Sequence, residues 1–311
     1  MHYERKSEHK MIEVELEELK SMEKCSPEKL LDILAKNQQR IEQNYNLYYD
    51  EQQDNVWKKY YYHEISKNKS VGEPLFQAFH QLITKTHEHK YPYSISKDQY
   101  LYTWVDLQPN GQLKTIYSGK ERTPERLIKE DFAMIDRRIK EYLALIEIQD
   151  VLKDRLVEHL RYISSQHKFN TEHVVPQSWF RAKEPMKGDL HHLFVCEPRC
   201  NSLRSNYPYY EHQEEDPSSS CGYHHLNRFE PRYGKGAVSR ATLYFILRYP
   251  KKITRRFQKY IDLPLLLSWH EQYKVTTYEK HRNMAIFEIQ GNRNPFIDFP
   301  DLTTKISFPK N

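Results

Sequence analysis

Residues 168–206 carry a Glu-His pair, Glu172-His173, followed by Asn201 at the start of a helix-like run. A carboxylate oxygen and an amide carbonyl oxygen are hard donors of the kind magnesium prefers. A single carboxylate leaves such an ion with net positive charge, which suits a bound phosphate. A neutral histidine outside the ligand set can deprotonate a water. The three residue types together describe metal-assisted phosphate hydrolysis. Taken singly they are weak signals, since a Glu-His pair is more often structural and an Asn at a helix start is usually its cap.

Such chemistry needs elements that converge. A short strand ends near His173, where Pro176 stops it. Leu190 to Val195 forms a second strand, and a short helix starts near Cys200–Asn201 and ends before Pro208. Adjacent strand residues face opposite sides, so Glu172 and His173 reach one site only at a strand end or kink.

Around this segment, residues 1–70 read as helical, with apolar residues at three- and four-residue spacing from Ile12 to Leu19 and from Leu30 to Ile41. Ser26-Pro27-Glu28 is a helix start. These helices are a packing pair or a surface for a protein partner or inhibitor. Tyr48-Tyr49 and Tyr60-Tyr61-Tyr62 pack on a half-buried helix face or stack on bases. Leu75 to Thr84 is a helix. Tyr100 to Val105 and Leu113 to Ser118 alternate around Pro109-Asn110-Gly111, which predicts a β-hairpin. Glu125 to His159 reads as one or two helices, with Leu127, Ile128, Met134, Ile135, Ile139, Leu143 and Leu145 facing the core. The expected class is a helix-rich α+β protein.

Composition narrows the function. The 311 residues carry a formal net charge of +5, and 13 % aromatics with 24 Tyr argue against a disordered chain. Only 8 Gly argue against a glycine-rich phosphate loop. No run approaches the roughly 18 apolar residues of a membrane span. The charged start, Met1 to Lys10, has no apolar stretch behind it, so a signal peptide is not expected and the cytoplasm is the default location. Cys196, Cys200 and Cys221 cluster near His212, His224 and His225. A structural zinc set, free buried thiols and, for an exported chain, a disulfide are the alternatives.

The same residues resemble the bacterial endonuclease I family, nucleases with a ββα-metal (His-Me finger) core. Thr171-Glu-His-Val-Val-Pro-Gln-Ser-Trp-Phe is similar to its first strand, Gly188-Asp-Leu-His-His-Leu-Phe to its second, and Asn201-Ser-Leu-Arg-Ser-Asn-Tyr-Pro to its metal helix. Ile116-Tyr-Ser-Gly119, Gly234-Lys-Gly-Ala-Val-Ser-Arg240 and Gln290-Gly-Asn-Arg-Asn-Pro-Phe-Ile-Asp298 extend the likeness in order from about residue 70 to 305. The resemblance implies an N-terminal extension (1–70), a nuclease domain (71–305) and a short tail (306–311). It implies His173 as general base, Glu172 and Asn201 as ligands of one divalent ion (magnesium, or another such as manganese or calcium), His191 as an orienting residue and Arg204 near a bound phosphate. It further implies cleavage of DNA, and of RNA as well, with little sequence preference, leaving 5′-phosphate and 3′-hydroxyl ends.

Some members hold the product phosphate with a linker arginine, a role for which Arg181, Lys183 and Lys187 are the candidates. Some carry Asn at the position of His192, and others an acidic residue at that of Ala237. Most members are secreted, so export is the alternative to the cytoplasm. The run from Arg248 to Lys259 includes Lys251, Lys252, Arg255 and Arg256, a solvated face or a track for the phosphate backbone. Asn292-Arg293-Asn294 is a structural turn or a substrate contact. A catalytically silent nucleic-acid-binding protein and a sequence-specific finger endonuclease are the rival readings.

Overall fold

Helix α1 (Pro27–Gln43) begins where Ser26 Oγ accepts the Lys29 amide at 3.2 Å, with proline in its first turn. Its Leu30, Leu34 and Ile41 form one buried stripe, as their spacing predicts. The structure, a computed structural model, describes residues 26–67, 70–147, 169–212 and 219–309, with short pieces at 16–17, 19–21 and 162–163. Most of the predicted helix at Ile12–Leu19, Cys25, and the whole stretch from 148 to His159 lie outside the described residues. Helices α2 (Glu51–Tyr61) and α3 (Glu73–Lys85) follow.

The predicted first arm of the hairpin is instead part of a π-helix, Ser96–Val105. The Asp106 amide reaches back five residues to the Leu101 carbonyl at 3.0 Å. Enclosure on nearly all sides explains the difference, because Leu101, Tyr102, Thr103 and Val105 are all buried and alternation then carries no information. Lys97, buried in the same element, pairs with Asp98 and Asp131. The turn itself forms at Gly111, at φ +72°, but it joins only an isolated Leu107–Leu113 bridge. Strand β1 (Leu113–Lys114) pairs instead with β2 (Glu121–Arg122).

After α4 (Pro124–Glu147) come β3 (Thr171–His173), β4 (Leu193–Val195) and α5 (Pro198–Arg204). The predicted second strand is half as long as expected. Leu190–His192 make a 3₁₀ turn because the Asp189 carboxylate accepts the His191 amide at 3.0 Å. The β5 (Gly222–His225) and β6 (Arg228–Pro231) hairpin precedes α6 (Lys235–Arg248), α7 (Leu263–Gln272) and α8 (Thr277–Gln290). The described chain is thus a helix-rich α+β protein with three two-stranded antiparallel sheets.

Two apolar clusters flank the β3–β4 ribbon. Leu193 and Val195 enter the one shared by α1, the π-helix and α4. Phe194, pointing the other way, enters the one built on α3, α6 and α7. The helices before residue 70 contribute to both, through Leu30, Leu34 and Tyr48 on one side and Tyr61 and Tyr62 on the other. Tyr48 donates to the Leu107 carbonyl at 3.0 Å and Tyr62 to Asp298 at 2.7 Å, so these rings are core and not base-stacking platforms. Tyr49 is buried with them, and Tyr60 is exposed. No described helix is long and apolar enough to cross a membrane.

Candidate catalytic site

β3 ends at His173, paired with Leu193, and the chain then turns away toward Pro176. His173 Nε2 lies 2.8 Å from the Lys187 carbonyl, which can only accept, so the ring proton sits on Nε2. Nδ1 therefore carries the lone pair, and the Gln177 amide donates to it at 3.1 Å. Tyr93 and His192 wall the ring at centroid distances of 4.9 and 5.4 Å. Burial, reinforced by neighbouring His192, pushes the imidazolium well below the usual histidine range.

Glu172 leaves the strand toward different partners. Tyr117 OH donates to its Oε1 at 2.8 Å and also meets Tyr209 OH at 2.8 Å. Burial and the Glu172 charge hold the Tyr117 phenol protonated. Arg204 Nε stands 3.5 Å from the same carboxylate oxygen, while its Nη2 donates to the Val174 carbonyl at 2.7 Å. Arg204 is 1 % exposed. It anchors the strand and balances Glu172, and its guanidinium is not displayed to solvent.

α5 packs on this strand through Asn201, whose Nδ2 donates to the Thr171 carbonyl at 2.7 Å. Tethering the nitrogen leaves the amide oxygen of this half-buried residue as the remaining acceptor. One residue earlier, Cys200 is bonded to Cys221 of the β5 start, across a sequence separation of 21. Cys196 is a separate buried thiol. Of the three alternatives for these cysteines, a zinc set through all three is excluded, since the two sulfurs in the bond have no thiolate to offer a metal. The disulfide holds α5 against the hairpin.

His191 and His192 face away from each other. His191 points from Glu172 and His173 into a buried network, with Nε2 at 3.2 Å from the Asn292 carbonyl and its ring on Tyr244 at 4.3 Å. Burial lowers its pKa to about 4 despite the nearby Asp189. Asp189 gathers the Tyr244 and Tyr249 hydroxyls at 2.8 and 2.9 Å. It is His192, not His191, that lies beside His173, with Nε2 on the Met186 carbonyl at 2.6 Å. Asn292, Arg293 and Asn294 are buried, and Arg293 pairs with Asp54 and Asp298, which makes this turn structural.

The predicted cations divide by exposure. Arg181 and Lys183 are exposed in the loop after β3, and half-buried Lys187 sits 5.4 Å over the Tyr93 ring. Lys251, Lys252, Arg255 and Arg256 are exposed, but Arg248 is buried against Thr84 and Tyr249. The run docks on the loop that leaves His173: Thr254 donates to the Trp179 carbonyl at 2.9 Å, and Phe257 stacks on Trp179 at 5.7 Å. Four of its exposed cations thus lie on a segment docked against Trp179.

Glu172 and Asn201 could together offer one carboxylate and one amide oxygen. That set fits a hard divalent ion that takes its remaining ligands from water and phosphate. Tyr117, absent from the residues predicted by chemistry, belongs to this set by its hydrogen bond, and its only sequence signal is the Ile116-to-Gly119 segment. Tyr117→Phe is expected to raise the apparent ion constant of cleavage by about 10–100-fold, with the rate at saturating ion nearly unchanged. Titrating magnesium into a cleavage assay checks this, and an unaltered constant would make the hydroxyl a mere core contact.

The sequence model of the endonuclease I family matches residues 72–301. An extracellular ribonuclease of Bacillus amyloliquefaciens is 33 % identical over 154 residues, covering 44 % of this chain and 53 % of that protein. Endonuclease-1 of Buchnera aphidicola subsp. Baizongia pistaciae (strain Bp) is 31 % identical over 121 residues, covering 37 % and 47 %. A periplasmic deoxyribonuclease of Aeromonas hydrophila is 29 % identical over 119 residues, covering 36 % and 48 %. The chain spans about half the length of the curated relatives it matches. With the family match covering well over half of the chain, from before the π-helix to beyond α8, the chain belongs to the endonuclease I family.

Proposed function

We propose that the chain is a metal-dependent endonuclease that hydrolyses phosphodiester bonds of DNA and RNA with little sequence preference. β3, β4 and α5 then form a ββα-metal core. The observation that carries this reading is His173, its Nε2 proton pinned on the Lys187 carbonyl and its Nδ1 lone pair left as base, one residue from Glu172.

A divalent ion held by Glu172 and Asn201 would supply Lewis-acid charge to the scissile phosphate. His173 Nδ1 takes a proton from the attacking water, whose oxygen bonds to phosphorus as the bond to O3′ breaks. The leaving oxygen takes a proton from solvent, so the products end in 5′-phosphate and 3′-hydroxyl. Gln177, which now donates to Nδ1, yields that position to the water. Arg181, Lys183 and the exposed cations of 251–256 hold flanking phosphates. RNA stands beside DNA because similar proteins include those named ribonuclease as well as deoxyribonuclease. Export is part of the reading: similar proteins are named extracellular or periplasmic, and the Cys200–Cys221 bond suits an oxidising compartment.

Digestion of a plasmid and of a structured RNA in magnesium, with mapping of the product ends, tests it. The expected result is a continuous ladder from both, with ends that a 5′-phosphate-dependent exonuclease degrades. Discrete fragments would favour the sequence-specific reading, and 2′,3′-cyclic phosphate ends on RNA would exclude attack by water.

A further inference from the structure

A cavity of about 660 Å³ lies between the Ile116 segment, the β5–β6 hairpin and the starts of α6 and α8. None of Glu172, His173 and Asn201 lines it. Its volume is that of a site for a small organic ligand, roughly 300–1,000 Å³. The lining includes the rings of Tyr223, Tyr233, Tyr273 and Tyr278.

The charges around it do not cancel. Lys235 pairs with Glu230, and Arg240 pairs with Glu279. Lys114, Arg232 and Lys274 also line the cavity and have no carboxylate partner among the described residues. The Lys114 ammonium is held 4.4 Å over the Tyr233 ring. That ring is itself packed on Gly119, where a Cβ would come within 2.9 Å of it. One cation is therefore fixed at the cavity before any ligand arrives, and Tyr273, 38 % exposed, offers a ring to solvent.

We propose that this cavity binds one nucleoside-phosphate unit of a single strand, its base on Tyr273 and its phosphate among Lys114, Arg232 and Lys274. Cations beside π faces are the features that hold single strands without reading sequence. The cavity wall is tied to the candidate site through the backbone: the Tyr233 amide donates to the carbonyl of Tyr117, the residue on Glu172, at 2.9 Å. The role as a second substrate contact rests on the nuclease reading, but binding does not.

The test measures binding of a fluorescein-labelled twelve-residue oligothymidylate by fluorescence polarisation in chelator, where no cleavage is expected. It compares wild type, Tyr273→Leu, and the combined Lys114→Gln, Arg232→Gln, Lys274→Gln chain, with melting curves to verify the fold. The triple variant is expected to flatten the slope of log affinity against log salt by about 0.7, the value for one lost phosphate contact on a single strand. Tyr273→Leu is expected to weaken binding about tenfold with an unchanged salt slope. Thymidine 5′-phosphate competes in a second arm. Variants that weaken the mononucleotide but not the strand would make the cavity a product site and overturn the proposal. Variants that change neither would overturn it as well. If wild type binds as expected yet never cuts in magnesium, the nuclease reading fails while this site stands.

Discussion

His173→Ala is expected to lower the single-turnover cleavage rate by about 10²–10⁴-fold, the usual contribution of a positioned general base. The reason is geometric. Nδ1 is the only basic atom of a ring whose other nitrogen is committed to the Lys187 carbonyl. The substitution leaves a cavity between Tyr93 and His192, so the fold should weaken somewhat while strand binding and ion binding persist. Measuring affinity in chelator and rate in saturating magnesium separates these effects. A variant that binds and cuts like wild type would remove His173 from the chemistry. One that no longer folds would be replaced by His173→Gln, which keeps a polar side chain of similar size without a base.

The second large effect concerns stability. The Cys200–Cys221 bond spans a separation of 21, for which the chain-entropy model gives about 3 kcal/mol. For a chain of this size that corresponds to a melting point lower by roughly 5 °C. The bond closes directly beside Asn201, so loosening it also frees the helix that presents the amide oxygen. Replacing both cysteines by alanine should therefore lower the melting temperature and weaken the response to magnesium. Reductant should do the same to wild type and nothing further to the variant. Equal melting of wild type and variant would show that the bond braces nothing.

The elements that carry the candidate site were legible in the sequence where local rules govern. Pro176 ends β3 at His173, Asn201 falls on the short helix, and Ser26-Pro27 opens α1, all as their residue types predict. It was illegible where burial decides. Tyr100 to Val105 alternates like a strand, yet it is enclosed as a π-helix on nearly all sides, where neither strand face is distinguished. Arg204 was expected near a bound phosphate and Arg248 on a solvated face or phosphate track, but each guanidinium is buried on a backbone carbonyl or hydroxyl supplied from elsewhere in the fold. His191 and His192 are equivalent in one dimension. The 3₁₀ turn fixed by Asp189 sends the first to Asn292 and the second to His173. Whether three cysteines gather round a metal or two of them pair depends on how α5 meets β5, which no spacing encodes.

The central claim is that Glu172 and Asn201 hold an ion that cleavage requires, and relaxation of supercoiled plasmid tests it most directly. Wild type and Glu172→Gln would be compared in magnesium and in chelator. Relaxation by wild type in magnesium alone, with an apparent ion constant at least about 100-fold weaker in the variant, is the predicted result. Relaxation by wild type in chelator, or an unchanged ion constant in Glu172→Gln, would contradict it.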